Sequence, residues 1–442
     1  MFRAASFNTV GYGLMQVIRF VTNVVLVRYF IPKGDFGLMA VIVAVNVGLE
    51  MLSDMGIGPA IVQNERGEDL DFLNTAWTLQ AVRGAMLSLI ALVLVYPVAL
   101  IQDMPDLLYL MPFSALTGVI VGFQSTAIFT LHRRLDFKRV AIMELIGQAC
   151  GSGGTILIAT FEPSAWALVW GGLIRATVDM IVSHLIPVGY HNRFAWHREH
   201  LDSIRTFGKW LFGSSALTFL SGAGHKLVLA RPMGKEALGV YHVAEQLAGI
   251  PTSAVLRLVG DITYSGLSEV YRDRPSELKR LYYKVRHIID LIAQPALGAI
   301  SAMAPAIVLL LYGKGFSDAG WMLRILCIRG GLEAVATCSQ YCLLAQGGAR
   351  YSFLMNVGRA VWLVSLFWPA YSAFGVLGVV WTVATVEVPA VVITTVGMKR
   401  YGTLSMLREL VAPIMFVIGG AIGWVASPLI PWLGAVLHIA AP

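Results

Sequence analysis

The sequence predicts an all-α polytopic membrane protein, two six-helix lobes followed by one or two extra C-terminal helices. Three observations predict it. Hydrophobic residues make up 57% of the chain and charged residues 13%, where a soluble globular chain carries roughly 25% charged residues. Apolar stretches of about 20 residues, long enough to cross a bilayer, recur along the chain with short polar joints between them. A hairpin near the N-terminus also returns at half-length. The first copy, Leu26 to Gln63, ends one apolar helix, turns at Pro32-Lys33-Gly34 and starts another; the second runs from Leu227 to Gly249. Arg28 matches Arg231 and Gly37 matches Gly239, at offsets of 203 and 202. Repeats of this kind build two similar bundles that face each other, as in alternating-access transporters.

The first lobe, 1–190, is expected to hold spans at 9–30, 35–58, 77–101, 107–131, 140–161 and 165–188. The N-terminal MFRAASFNTVGYGLMQV runs straight into the first of these with no small-residue cleavage site, so it reads as an uncleaved helix. A polar cytoplasmic linker, 191–207, follows. The second lobe, 208–398, is expected to hold spans at 208–230, 236–262, 284–311, 319–345, 351–373 and 376–397. The remainder, 399–442, carries an apolar stretch at 409–427 and a tail with room for a partial span. A second echo supports the duplication: Arg134 matches Arg350 and Phe137 matches Phe353, both at an offset of 216. The basic, amphipathic run Ser265–Arg286 reads as a segment lying along the inner membrane surface.

Gly118/Gly122, Gly147/Gly151 and Gly419/Gly423 each read as a close helix-packing face. Gly151-Ser152-Gly153-Gly154 has the composition of a phosphate loop but lies within a span, and no Gly-Lys pair is followed by Ser or Thr, so no ATP site is predicted. The four cysteines, Cys150, Cys327, Cys338 and Cys342, lie in apolar segments without a matching His/Cys cluster and read as core residues, not as metal ligands. No cofactor is expected.

The net charge of +7 fits the cytoplasmic excess of Lys and Arg that orients membrane proteins better than a nucleic-acid partner. With the N-terminus inside, twenty of the 33 basic residues fall in cytoplasmic segments, five on the opposite side and eight within spans. Those eight are Arg19, Arg83, Arg175, Lys226, Arg257, Arg324, Arg329 and Arg359, and nine acids join them: Glu50, Asp54, Glu144, Asp179, Glu245, Asp261, Asp290, Glu333 and Glu387. A charge at the bilayer centre costs roughly 2.5–3.5 kcal/mol on the lenient insertion scale, so these groups must face a wet cavity or each other. Arg175/Asp179, Arg257/Asp261 and Arg329/Glu333 sit four residues apart on one helix face. Arg19, Arg83, Lys226 and Arg359 have no such local acid. With Arg175 and Arg329 they are the candidates for a cationic cavity, which asks for an anionic substrate, because guanidinium forks suit phosphate oxygens. Glu50, Asp54, Glu245 and Glu387 are the candidates for proton or ion coupling.

With these residues in view, the chain resembles the Wzx-type oligosaccharide and polysaccharide flippases of the superfamily that also holds the multidrug and toxin extruders. LVRYFIPKGDFGLMAV, LSDMGIGPAIVQNE, LDFLNTAWTLQAVRG, HRRLDFKR and FGVLGVVW carry the resemblance through their order and spacing. It implies two six-helix lobes arranged as a V in the bacterial inner membrane. It also implies movement of an undecaprenyl-pyrophosphate-linked oligosaccharide, such as an O-antigen, exopolysaccharide or capsule repeat unit, from the inner to the outer leaflet. The partners implied are that lipid-linked substrate, membrane lipid, and the glycosyltransferases and polymerase of the same pathway, with no nucleic acid. The alternative is a cation-coupled drug exporter of the same fold. Cationic drugs call for an acidic cavity, whereas the in-span bases and acids here number eight against nine, and four of the bases lack a local acid. An enzyme of glycan assembly would need larger loops than these joints provide, so no enzyme is predicted.

Overall fold

A computed structural model describes residues 2–54, 56–197, 199, 215 and 218–430, with side chains throughout except at 2–10, 220–221, 254–262 and 265. The distal part of the 191–207 linker, the start of the seventh predicted span, the Arg257/Asp261 pair and most of the tail beyond 427 therefore lie outside the described residues and side chains. The packing divides the chain into two compact units, Met1–Gly239 and Val240–Pro442.

The first unit contains α1 (Phe2–Tyr29), α2 (Lys33–Leu52), α3 (Ile57–Gln63), α4 (Leu70–Gln102), α5 (Leu107–Gly122), α6 (Ala127–Arg133), α7 (Phe137–Phe161) and α8 (Ala165–Leu185), and takes the start of α9 (His225–Asp273). Side-chain caps fix several starts. Asp69, Asp136 and Ser164 accept backbone N–H bonds from Asp71, Arg139 and Trp166 at the first turns of α4, α7 and α8. The span expected over 35–58 is shorter. α2 stops at Leu52, and Gly56, in the left-handed region at φ 67°, turns the chain into α3. Asp54 therefore stands in the turn and not mid-span, with its Oδ1 accepting from the Gly56 N–H at 2.9 Å.

The span expected over 107–131 is broken. α5 and α6 meet at 55°, which frees backbone groups that apolar surroundings would leave unsatisfied. Gln80 Nε2 donates to the carbonyls of Val121, Gly122 and Gln124 at 3.2, 3.3 and 3.0 Å. Ser183 Oγ accepts from the Ser125 N–H at 2.9 Å, and Asn192 Oδ1 accepts from the Ser125 hydroxyl at 2.6 Å. Asn192 belongs to the linker, whose described part runs along α4: Arg193 and Ala195 N–H groups donate to Asn74 Oδ1 and Thr78 Oγ1.

The echoed hairpins meet reciprocally within the first unit. A Cβ on Gly37 would strike the Lys235 carbonyl, and one on Gly239 would strike the Lys33 carbonyl, so only glycine permits this crossing. Lys33 pairs with Glu236 at 3.1 Å and Lys235 with Asp106 at 2.8 Å beside it.

The second unit holds the rest of α9, then α10 (Leu278–Tyr312), α11 (Asp318–Ala345), α12 (Ala349–Ala384), α13 (Val388–Arg400), α14 (Met406–Glu409) and α15 (Val411–Ala426). α9 is interrupted at Gly234, with φ 70°, and α12 at Gly375, with φ 58°. The expected surface segment 265–286 is instead the end of α9, a 3₁₀ turn at Pro275–Glu277 and the start of α10. Its Tyr282, Tyr283 and Arg286 are buried. Arg286, at the end of that expected surface segment, hydrogen-bonds Asp290 Oδ2 at 3.1 Å, the Tyr282 hydroxyl at 2.6 Å and Ser339 Oγ at 3.2 Å, and its Nη2 forms an ion pair with Glu409 Oε2 at 3.0 Å. Through Glu409 this network fastens the C-terminal appendix to α10. α15 continues the attachment, laying Gly419 and Gly423 against Pro295 and Ala299. The predicted glycine face at 419/423 is thus a close helix contact, as are those at 118/122 and 147/151, which approach Gly84 and α8 respectively.

Among the described residues, seven helical segments are long and apolar enough to cross a membrane, and eight if bent α5–α6 counts as one span. α1, α9 and α12's neighbour α11, of 28, 49 and 28 residues, fall outside that count. They carry Arg19, Glu245, Arg329 and Glu333. Charges turned toward protein lower mean hydropathy without preventing a helix from lying in the membrane.

Candidate functional site: charged cavities in each unit

The first unit contains a cavity of about 360 Å³ lined by Glu50, Met51, Asp54, Gln80, Arg83, Gly84, Leu87, Gly118, Val121 and Gly122. α2, α4 and α5 build it. Gly84 sits so close to the Gly118 carbonyl and the Gly122 Cα that no side chain fits between α4 and α5, and the cavity wall there is bare backbone. Arg83 reaches across to the end of α2. Its Nε donates to Ser53 Oγ at 3.0 Å and its Nη2 to the Glu50 carbonyl at 2.8 Å. The last carbonyls of a helix have no intrahelical donor, and a cation is favoured there. The guanidinium thus both caps α2 and lines the cavity between two carboxylate-bearing residues.

A second basic group lies on α1 and α8, with Gln148 of α7 beside it. Arg175 donates from Nη1 to Gln148 Oε1 at 2.6 Å and pairs from Nε with Asp179 Oδ2 at 3.6 Å, as the four-residue spacing predicts. Arg19, within electrostatic reach of Arg175, makes no hydrogen bond or ion pair among the described residues. Lys226 is half-buried near the start of α9.

The second unit has a smaller cavity, about 220 Å³, lined by Glu245, Ala248, Gly249, Thr252, Ser253, Leu326, Arg329, Gly330 and Glu333. Arg329 Nη1 stands 3.5 Å from Glu245 Oε1, a pairing across helices that the same-helix reading with Glu333 did not anticipate. Arg359 also has an acid, contrary to the expectation from its own helix. Its Nε and Nη2 donate to Glu387 Oε2 at 3.0 and 2.6 Å, and Nη1 donates to Asn356 Oδ1 at 2.9 Å. The partner comes from the start of α13, so spacing along α12 could not reveal it. The Arg286–Asp290–Glu409 network also escaped the sequence reading. Its four-residue pair was visible, but Glu409 joins from the far end of the chain. Cys327, Cys338 and Cys342 are buried and Cys150 is exposed.

Broken apolar helices with a charged cavity in each unit fit a polytopic α-helical membrane transporter. Within that class the chain belongs to the polysaccharide biosynthesis protein family, which matches residues 25–320. It is similar to the lipopolysaccharide biosynthesis protein WzxC of Escherichia coli (strain K12), 25% identical over 367 residues that cover 82% of this chain and 71% of that one. It is also similar to the succinoglycan biosynthesis transport protein ExoT of Rhizobium meliloti (strain 1021), 24% identical over 82% of this chain and 70% of that one. Among solved structures, the lipid II flippase MurJ in an inward closed conformation superposes with a TM-score of 0.72 at 10% identity, covering 98% of both chains. A multidrug resistance MATE family transporter of the MOP superfamily, inward-facing, gives 0.68 at 17% identity, covering 89% of this chain and 94% of that one. These two likenesses establish the shared fold.

Proposed function

We propose that this protein is a flippase that moves an undecaprenyl-pyrophosphate-linked oligosaccharide, an O-antigen, exopolysaccharide or capsule repeat unit, from the inner to the outer leaflet by alternating access. The observation that carries the reading is Arg83 in its glycine-walled cavity, in a chain whose family and relatives are named for polysaccharide biosynthesis. A phosphate oxygen outcompetes a neutral carbonyl for a guanidinium, because charge-assisted bonds are about twice as strong. An arriving pyrophosphate would therefore draw Arg83 off the end of α2. Arg19 supplies further positive charge in the same unit, Arg175 stays a candidate although Asp179 offsets its charge, and Lys226 stays with them. Arg329 and Arg359, already held by Glu245 and Glu387, suit the coupling of an ion better than the holding of a substrate. Glu50 and Asp54, beside Arg83, are the coupling candidates of the first cavity.

The protein sits in the bacterial inner membrane with its N-terminus in the cytoplasm, on the twenty-to-five distribution of basic residues. It works beside the glycosyltransferases and polymerase of its glycan and catalyses no covalent step. The drug-exporter alternative rests on fold alone, which hosts many functions. The test is deletion and complementation in a producing cell. Deletion should abolish surface glycan and accumulate the lipid-linked precursor on the cytoplasmic side, and the wild-type gene should reverse both. Unchanged surface glycan together with increased sensitivity to cationic dyes would refute the flippase and favour the exporter.

A further inference from the structure

The charges around the cavity of the second unit do not balance. Arg329 and Arg359 bring two positive charges; Glu245, Glu333 and Glu387 bring three negative ones. Glu387 takes Nε and Nη2 of Arg359, and Glu245 takes Arg329. Glu333 is the carboxylate left over. It lines the cavity one turn beyond Arg329, within electrostatic reach of the other four groups, yet it makes no hydrogen bond or ion pair among the described residues. Arg329 Nε is likewise buried without an acceptor.

Among the described side chains, the neighbouring elements supply no further compensating cation. α9 presents Tyr241, which interacts with Glu245, and His242, whose Nε2 meets Gln246 Nε2 at 2.9 Å. From α10, Gln294 donates to the Gly331 carbonyl at 3.0 Å, while Arg286 is committed to Asp290 and Glu409. α15 carries no ionisable residue. A buried carboxylate without a counter-charge neutralises itself by taking a proton. A metal cation fits less well, since among the described residues no group of three His, Cys, Asp or Glu side chains could hold one and the Arg329 guanidinium lies alongside.

We infer that the second unit is a proton-binding site: the cluster Glu245–Arg329–Glu333–Glu387–Arg359 holds one proton, and Glu333 carries it. The use of that proton in transport rests on the flippase reading; its presence does not. The test needs neither substrate nor transport. The purified full-length protein, in bilayers of phosphatidylethanolamine and phosphatidylglycerol, is titrated by infrared difference spectroscopy in H₂O and D₂O. At neutral pH the wild type should show the carbonyl band of a protonated carboxylic acid, shifted by D₂O. Glu333→Gln removes the group and should abolish that band. Glu387→Gln leaves two acids against two arginines, so Glu333 should ionise and the band should again be lost. Arg359→Gln should add a second protonated carboxyl. Absence of the band in the wild type, or its persistence in either glutamine variant, overturns the inference. The two glutamine variants act at different positions, so misfolding of one leaves the other decisive.

Discussion

Replacing Arg286 by leucine tests whether the network that fastens the C-terminal appendix is a set of matched charges. The side chains of Arg286 and Asp290 are each 1% exposed, and that of Glu409 is 20% exposed. Leucine strips both acids of their cation while leaving them in place, and breaking a buried pair from one side costs about 3–5 kcal/mol. At about 2–4 °C per kcal/mol for a unit of this size, the midpoint should fall by roughly 6–20 °C. The triple variant Arg286→Met, Asp290→Asn, Glu409→Gln removes all the charges together. Because replacing a whole buried ion network is close to neutral, it should recover most of the loss. The assay is thermal unfolding of detergent-purified protein carrying Cys150→Ser, followed by a thiol-reactive dye. Cys338 and Cys342 pack in the same core as Tyr282 and Tyr283 and become reactive only when that core opens. A midpoint unchanged by Arg286→Leu, or a triple variant as unstable as the single one, would refute the reasoning.

Three further outcomes follow from the first unit. Gly84→Val drives a side chain into the Gly118 carbonyl and the Gly122 Cα, so it should cost about 1–3 kcal/mol by overpacking; Gly153→Ala, which meets open space, should be neutral or stabilising by up to about 1 kcal/mol in the same unfolding assay. The fork of Arg134 holds the Glu68 carboxyl below its ordinary value of 4.5. Their bond therefore adds stability that is complete above 4.5 and lost as the pH falls below it, and the midpoint difference between wild type and Glu68→Gln should shrink to nothing on acidification. Arg83→Gln should leave membrane levels normal while reducing glycan export at least tenfold, and Arg83→Lys should keep part of it, because the charge survives without the fork; equal export by all three proteins would remove Arg83 from the site.

Composition, span periodicity and the half-length hairpin made the all-α membrane fold legible, because lipid forces long apolar runs whatever the detailed packing. Helix breaks were less legible. The end of α2 at Leu52 depends on a left-handed Gly56, and the 55° bend after α5 depends on Gln80 and Asn192 arriving from elsewhere to satisfy freed backbone. Charge pairing divided the same way. Arg175/Asp179 shares one helix and was visible from spacing, whereas Arg359/Glu387 and Arg286/Glu409 join different helices, a contact that only tertiary packing creates. The candidate residues were therefore named by depth and charge, while which of them are already partnered emerged from the structure.

The central claim is tested most directly in proteoliposomes. Purified protein is reconstituted with an undecaprenyl-pyrophosphate oligosaccharide in the inner leaflet, and the glycan reaching the outer leaflet is cut by an externally added, membrane-impermeant glycosidase. The account predicts that wild-type protein exposes the inner-leaflet pool to the enzyme and that Arg83→Gln does not. Protein-free vesicles and wild-type vesicles showing the same protected pool would contradict it.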